Sequence, residues 1–133
     1  MSELLHVGLD VGSTTVKIIV MDKNGNTLYK NYQRHFSDTK NTVCSVLEDL
    51  LLKYPSNTFT VALTGSGAMS AAKFLGVDFI QEVVSCKRAV EKYIPKTDVV
   101  IELGGEDAKI IYFDQSIEQR MNGTCAGGTG ALL

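Results

Sequence analysis

The chain has 133 residues, 44 % of them hydrophobic and 21 % charged, and a net charge of −2. That is enough apolar material for the core of about one domain, and the charge balance offers no electrostatic case for nucleic acid or an anionic membrane surface. No apolar run approaches the roughly 20 residues of a membrane-spanning helix, and the first residues lack the basic start and cleavage site of a signal peptide.

Residues 4–9, with Leu4, Leu5, Val7 and Leu9, read as a buried strand ending at Asp10. Residues 15–21 form a second β-rich run. Asn24-Gly25 then predicts a two-residue type I′ hairpin turn, which needs positive φ at both central residues. Residues 27–34 alternate as a third strand, so the first three strands form an antiparallel meander. Val43, Val46, Leu47, Leu50, Leu51 and Tyr54 fall on one helical face, with Asp38 or Asn41 as cap and Pro55 as stop. Residues 59–63 are a short apolar strand ending in Thr64-Gly65-Ser66-Gly67. Residues 68–75 are helix-like and end at Gly76, a natural left-handed terminator. A short strand at 77–80 precedes a helix whose face is Val83, Cys86, Val90 and Tyr93, closed by Pro95. The order is that of a mixed α/β domain. Strands then follow at 99–103, 108–113 and 116–121, and a glycine-rich stretch at 127–130.

The second group of strands restates the first. Asp10-Val11-Gly12-Ser13-Thr14-Thr15-Val16-Lys17-Ile18-Ile19 aligns without a gap on Glu102-Leu103-Gly104-Gly105-Glu106-Asp107-Ala108-Lys109-Ile110-Ile111, at an offset of 102 − 10 = 92 positions. An acid ends each apolar strand, and Asp22 and Asp114 extend the parallel. Such a repeat indicates duplication. Each copy is a strand-turn-strand whose backbone amides can form an anion-binding concavity. Ser13, Thr14 and Thr15 add hydroxyl donors, and Asp10 and Glu102 are carboxylates suited to Mg²⁺. Two such turns facing one another would grip the phosphates of a nucleotide. The plain alternative is two ordinary hairpins whose glycines serve only the turns.

Thr64-Gly65-Ser66-Gly67 sits where a strand passes into a helix, a place that can hold an anion but is more commonly a simple βα loop. The stretch Asn122-Gly123-Thr124-Cys125-Ala126-Gly127-Gly128-Thr129-Gly130 permits close backbone approach. It has neither the Gly-Lys-Ser/Thr of a Walker loop nor dinucleotide spacing. The three cysteines form no CxxC and no even framework, which places the chain in a reducing, cytoplasmic compartment. Cys44 and Cys86 read as buried core thiols. Cys125 lies in a polar loop where packing needs no thiol. Metal or redox use and an incidental loop residue both remain open there. His6 and His35 have no partner spacing and are not read as ligands.

Asp10-x-Gly-Ser-Thr-Thr-x-Lys17, Thr64-Gly65-x-Gly67, Glu102-x-Gly-Gly-Glu-Asp-x-Lys109 and Asn122-x-x-Cys125-Ala-x-Gly-Thr-Gly130 together resemble the 2-hydroxyacyl-CoA dehydratase activators and the related benzoyl-CoA reductase ATPase subunits. The resemblance covers essentially the whole chain. It implies a ribonuclease-H-like lobe of the actin, sugar-kinase and heat-shock chaperone ATPase superfamily, at residues 1–96, and the first strands of a second similar lobe, at 97–133. It implies ATP/ADP and Mg²⁺ held by Asp10, Gly12, Ser13, Thr14, Thr15 and Lys17 on one side and by Glu102, Gly104, Gly105, Glu106 and Asp107 on the other. Gly65, Gly67, Gly127, Gly128 and Thr129 complete the nucleotide site. Asp10 and Glu102 would be catalytic and would hold the metal. Cys125 would be one of the thiolates of a [4Fe–4S] cluster shared by two subunits of a homodimer. The partner would be a dehydratase or reductase that accepts one electron. Glu102 stands where the family usually has Asp, and Glu106 where Gln is common.

The chain stops at Leu133, before a second cluster cysteine, so the expectation is the N-terminal part of a longer activator, inactive alone. Two other readings stand beside this. One is a phosphotransfer kinase of the same superfamily, for which no substrate pocket or general base is identifiable. The other is a structural or binding fragment whose partly formed second lobe exposes strand edges and apolar faces, and which self-associates by exchange of the 98–121 strands.

Overall fold

The structure, a computed structural model, describes residues 2–104, 108–113 and 119–121. The chain divides into two compact units, Met1–Gln81 and Glu82–Leu133. In the first, β1 (Leu4–Val11), β2 (Thr15–Met21) and β3 (Thr27–Arg34) form the expected antiparallel meander. Helix α1 (Thr39–Lys53) then carries the chain to β4 (Thr58–Thr64), which lies parallel to β1. Helix α2 (Ala68–Leu75) leads to the short β5 (Asp78–Phe79), parallel to β4. The sheet order is β3-β2-β1-β4-β5, with β1 in the centre.

Period-two alternation explains the two central strands. Leu5, Val7, Leu9 and Val11 of β1 and Val16, Ile18 and Val20 of β2 are all buried. Against this face α1 lays Val43, Val46 and Leu50, with Leu47 and Tyr54 partly covered, while Leu51 falls outside the stripe and is exposed. Burying a Val or Leu side chain contributes about 1.5–3 kcal/mol, so this one apolar layer fixes the register of β1. Asp38 precedes α1 as expected, yet its side chain does not cap the helix. Its carboxylate accepts a hydrogen bond from Asn41 Nδ2 at 3.0 Å, and its carbonyl accepts one from Thr42 Oγ1 at 2.8 Å. Gly76 ends α2 at φ +66°, the left-handed conformation expected of it.

The β2–β3 turn differs from the type I′ expectation. Gly25 has φ +82°, but Asn24 does not have positive φ. The reason is Asp22, which organises the loop from outside. Its Oδ1 accepts the N–H groups of Asn24 and Asn26 at 2.8 and 2.9 Å, and its Oδ2 accepts Asn26 Nδ2 at 2.8 Å. The Asn26 side-chain bond, followed by the backbone bonds, holds the Asp22 carboxyl below its usual range. An Asx-type capture therefore replaces the two-residue mirror turn.

In the second unit, α3 (Glu82–Tyr93) precedes β6 (Val99–Leu103), β7 (Ala108–Tyr112) and β8 (Gln119–Met121), an antiparallel sheet in the order β6-β7-β8. None of α3's residues is buried. The expected apolar face of Val83, Cys86 and Val90 is half-covered, and Tyr93 is exposed. Cys44 and Cys86 are likewise only partly covered, not core thiols. On α1, Val43 takes the inward position, which turns Cys44 about 100° away. Desolvation, then the nearby Glu102 charge, pushes the Cys86 thiol up. Lys109 is buried and donates to Glu82 Oε2 at 2.5 Å, tying β7 to α3. That contact groups α3 with the second sheet, whereas the resemblance implies a lobe boundary after residue 96.

The duplication is visible in the strand registers. Asp10 pairs with Lys17, Leu9 with Ile18, Gly8 with Ile19 and Val7 with Val20. Glu102 pairs with Lys109, Ile101 with Ile110, Val100 with Ile111 and Val99 with Tyr112. Every pair recurs at the same offset of 102 − 10 = 92.

The turn that follows β3 is strained. The Asp38 N–H donates to His35 O at 2.7 Å, and between them Phe36 (φ +46°) and Ser37 (φ +67°) are both left-handed. That conformation costs a non-glycine residue about 1–2 kcal/mol. Ser37→Gly removes the penalty at one residue and retains the N–H. Part of the gain is offset by glycine's greater chain entropy, so urea unfolding is expected to show a net stabilisation of about 0.5–1 kcal/mol. A loss of stability would show that the turn is not strained at Ser37.

Candidate functional site

The register places three polar side chains in a row at the carboxyl end of β1. Asp10 is paired with Lys17 of β2 on one side and with Thr64 of β4 on the other. In open α/β sheets ligands bind at this end of the strands. Lys17 Nζ donates to Asp10 Oδ2 at 3.1 Å. Lys17 is 48 % exposed and Asp10 35 %, so this solvent-screened pair is worth about 0–1 kcal/mol and gives way readily to a ligand. The other face of the carboxylate is different. Asp10 Oδ1 and Thr64 Oγ1 are both buried and have no hydrogen-bond partner. Each orphaned group costs about 1–3 kcal/mol, which marks the place as built to receive something.

The loop after β4 closes this place from below. Gly65 is buried at φ +105°, and a Cβ there would fall on Val11 O and within 2.6 Å of Asp10 Oδ1. Gly67 N–H donates to Val11 O at 2.8 Å, and Ala68 N–H to Gly65 O at 3.1 Å. Glycine at 65 is thus required twice, by φ and by the close approach of two backbones. Gly67 is tight as well, with Val11 Cγ1 and Val11 O 3.2 Å from its would-be Cβ.

The β1–β2 turn supplies the backbone amides. Gly12 N–H donates to Thr15 O at 2.9 Å, closing a tight turn with Ser13 and Thr14 at its tip. Thr14 is exposed and Thr15 is buried. In this unit the structure therefore brings Asp10, Gly12, Ser13, Thr14, Thr15, Lys17, Gly65 and Gly67 together at one end of the sheet. In the second unit Glu102 and Gly104 are half-buried at the end of β6. Gly105, Glu106, Asp107, Cys125, Gly127, Gly128 and Thr129 lie outside the described residues.

Two residues that the sequence reading passed over belong here. Thr64 could have been found, because it is the strand-end residue of the Thr64-to-Gly67 run. His35 could not. It is buried at 6 % exposure and reaches the β1–β2 turn from 23 residues away. Among the described residues no group of three or more His, Cys, Asp or Glu could hold a metal ion. A single carboxylate flanked by hydroxyls still fits Mg²⁺, which is bound through one or two carboxylates with phosphate and water supplying the rest.

The five-stranded mixed sheet with this turn at its carboxyl end is the α/β lobe of the actin-like ATPases. The chain belongs to the BadF/BadG/BcrA/BcrD ATPase family, whose pattern it matches over residues 7–133. It is similar to the 2-hydroxyisocaproyl-CoA dehydratase activator of Clostridioides difficile, with 35 % identity over 135 residues, 96 % of this chain and 49 % of that protein. A solved structure of the activator of the 2-hydroxyisocaproyl-CoA dehydratase from Clostridium difficile, with bound ADPNP, superposes with a TM-score of 0.77 at 28 % identity, over 96 % of this chain and 48 % of that one. Component A of the Acidaminococcus fermentans (R)-2-hydroxyglutaryl-CoA dehydratase shares the fold, with a TM-score of 0.78 at 23 % identity, covering 96 % and 51 %. The chain spans about half the length of the curated relatives it matches. No helix among the described residues is long and apolar enough to cross a membrane.

Gly65→Ala tests the geometry. The added methyl meets backbone and carboxylate in a left-handed residue, so the expected cost is about 2–4 kcal/mol in chemical denaturation. A cost below 1 kcal/mol would mean that the loop does not sit against β1 as described.

Proposed function

We propose that this chain is the phosphate-gripping part of an ATP-dependent activator that drives one electron from a [4Fe–4S] cluster to a 2-hydroxyacyl-CoA dehydratase or a related reductase. The observation that carries the nucleotide reading is the pair of unpartnered buried oxygens, Asp10 Oδ1 and Thr64 Oγ1, beside a turn rich in amides and hydroxyls. Membership of the ATPase family and the ADPNP found in one structural relative support it.

In this reading the Asp10 carboxylate would hold Mg²⁺, with the unpartnered Thr64 hydroxyl beside it. The ion neutralises phosphate charge when bound. The β1–β2 turn presents backbone N–H groups and the hydroxyls of Ser13, Thr14 and Thr15 to the phosphates. Lys17 leaves the exposed Asp10 Oδ2 and adds positive charge to them. Gly65, having no side chain, lets the loop lie against Val11 and Asp10. By the family resemblance, Glu102, Gly104, Gly105, Glu106 and Asp107 would give the second set of phosphate contacts, and Gly127, Gly128 and Thr129 further contacts to the nucleotide, with the second lobe starting after residue 96. Cys125 gives one thiolate to a cluster shared by a homodimer, since a [4Fe–4S] cluster takes four thiolates. The setting is the cytoplasm.

The test takes the protein that carries this chain, reconstituted anaerobically with iron and sulfide, beside Asp10→Asn and Cys125→Ala. Asp10→Asn is expected to lose Mg²⁺-dependent ADP affinity by about tenfold or more, the loss of one charged ligand, and to keep its iron. Cys125→Ala is expected to bind ADP normally and to hold no cluster by iron content and visible absorbance. Iron retained in Cys125→Ala would remove the cluster from the proposal. Unchanged Mg²⁺·ADP affinity in Asp10→Asn would remove the nucleotide site.

A further inference from the structure

His35 is a buried titratable side chain that the reading above leaves unused. All four of its polar groups are engaged. Its backbone N–H donates to Thr14 O at 3.1 Å, and its carbonyl accepts the Asp38 N–H at 2.7 Å. On the ring, Nδ1 accepts the Ser37 N–H at 3.1 Å and lies 3.4 Å from Thr39 Oγ1. That acceptor role places the ring proton on Nε2, which donates to Gly12 O at 3.0 Å. One residue thus rivets the strained 35–38 turn to the β1–β2 turn and takes hold of two carbonyls of the latter, those of Gly12 and Thr14.

A trans peptide unit is planar, and its C=O and N–H point in opposite directions. With the Gly12 carbonyl turned to the His35 ring, the Ser13 N–H must point away from it. With the Thr14 carbonyl turned to the His35 backbone, the Thr15 N–H must point away as well. We propose that His35 is a positioning residue of the phosphate turn: by fixing the peptide planes 12–13 and 14–15, it turns the Ser13 and Thr15 amides away from itself as a preformed pair of donors for a phosphate group. This rests on the reading of the β1–β2 turn as phosphate-binding. The left-handed Phe36 and Ser37 fit the same role, because backbone strain is retained where it sets the geometry of a site. His35 touches neither metal nor nucleotide. It acts only through the turn.

Two polar replacements separate this role from bulk stability. In His35→Gln the side-chain amide can occupy the place of Nε2 and still donate to Gly12 O. In His35→Asn the amide is too short and can replace only Nδ1. Both variants, in the protein that carries this chain, are titrated with Mg²⁺·ADP by calorimetry, with thermal melts alongside. The Ser13 and Thr15 amide signals are followed by ¹⁵N–¹H spectra. His35→Asn is expected to weaken ADP about tenfold, the value of one well-placed hydrogen bond, while His35→Gln stays within about threefold of wild type. The Ser13 and Thr15 signals should move on adding ADP in wild type and His35→Gln, and hardly at all in His35→Asn.

Equal weakening in the two folded variants would reduce His35 to a structural residue and overturn the inference. So would a folded His35→Asn with wild-type affinity. If His35→Asn does not fold, a folded His35→Gln that has lost tenfold overturns it, and one that retains affinity and the amide shifts sustains it. Failure of wild type itself to bind Mg²⁺·ADP would overturn the phosphate reading, and this inference with it.

Discussion

Everything at the carboxyl end of the sheet depends on how closely the loop after β4 approaches β1. Two backbones meet there with no side chain between them, because Gly65 has none and adopts a φ of +105°. The contact is closed by Gly67 N–H donating to Val11 O. It leaves Asp10 and Thr64 abreast on neighbouring parallel strands, with one oxygen of each shut away from water and unsatisfied. A larger residue at 65 would push the loop outward and let water satisfy both. The site is therefore held in an unsatisfied state by packing, and the packing comes from the apolar layer of β1, β2 and α1 beneath it.

The duplication carries the same device into two settings. In both copies an acid at the end of one strand faces a lysine across the hairpin, in identical register. The first lysine, Lys17, is exposed and holds its acid loosely. The second, Lys109, is buried and donates to Glu82 of α3. One sequence pattern has thus produced an exposed ion pair in one copy and a buried tie in the other. Lys17 can follow a ligand's charge. Displacing Lys109 would leave a buried ammonium and its carboxylate to be solvated anew.

How much of this could be read from the sequence follows from the range of the forces involved. Strand and helix order was legible because burial periodicity is local: Leu5, Val7, Leu9 and Val11 alternate, and Val43, Val46 and Leu50 recur on one helical face. The repeat was legible because register depends on alternation, and alternation is written in the chain. The acid-glycine turn and the Gly65 loop were legible as motifs. What failed was set by contacts across the fold or by side chains capturing backbone. Asn24-Gly25 looked like a mirror turn until Asp22 took its amides. Cys86 looked like a core residue because helical spacing shows which residues share a face but not whether a layer covers it. His35 is not legible as a site residue in the sequence, since its link to Gly12 has no signature in spacing. Thr64 lay within a recognised motif, and only the structure showed its hydroxyl without a partner.

The central claim is that the paired orphan oxygens of Asp10 and Thr64 exist to face a nucleotide-bound metal. The most direct measurement is a crystal structure with ADPNP and Mn²⁺ in place of Mg²⁺, locating the metal by its anomalous scattering. The account predicts a metal peak on the Oδ1 side of Asp10, in contact directly or through one water, with the phosphates over the Ser13-to-Thr15 turn and Lys17 drawn off Oδ2. A metal peak remote from Asp10, or a nucleotide bound with Asp10 Oδ1 and Thr64 Oγ1 still unpartnered, would contradict it.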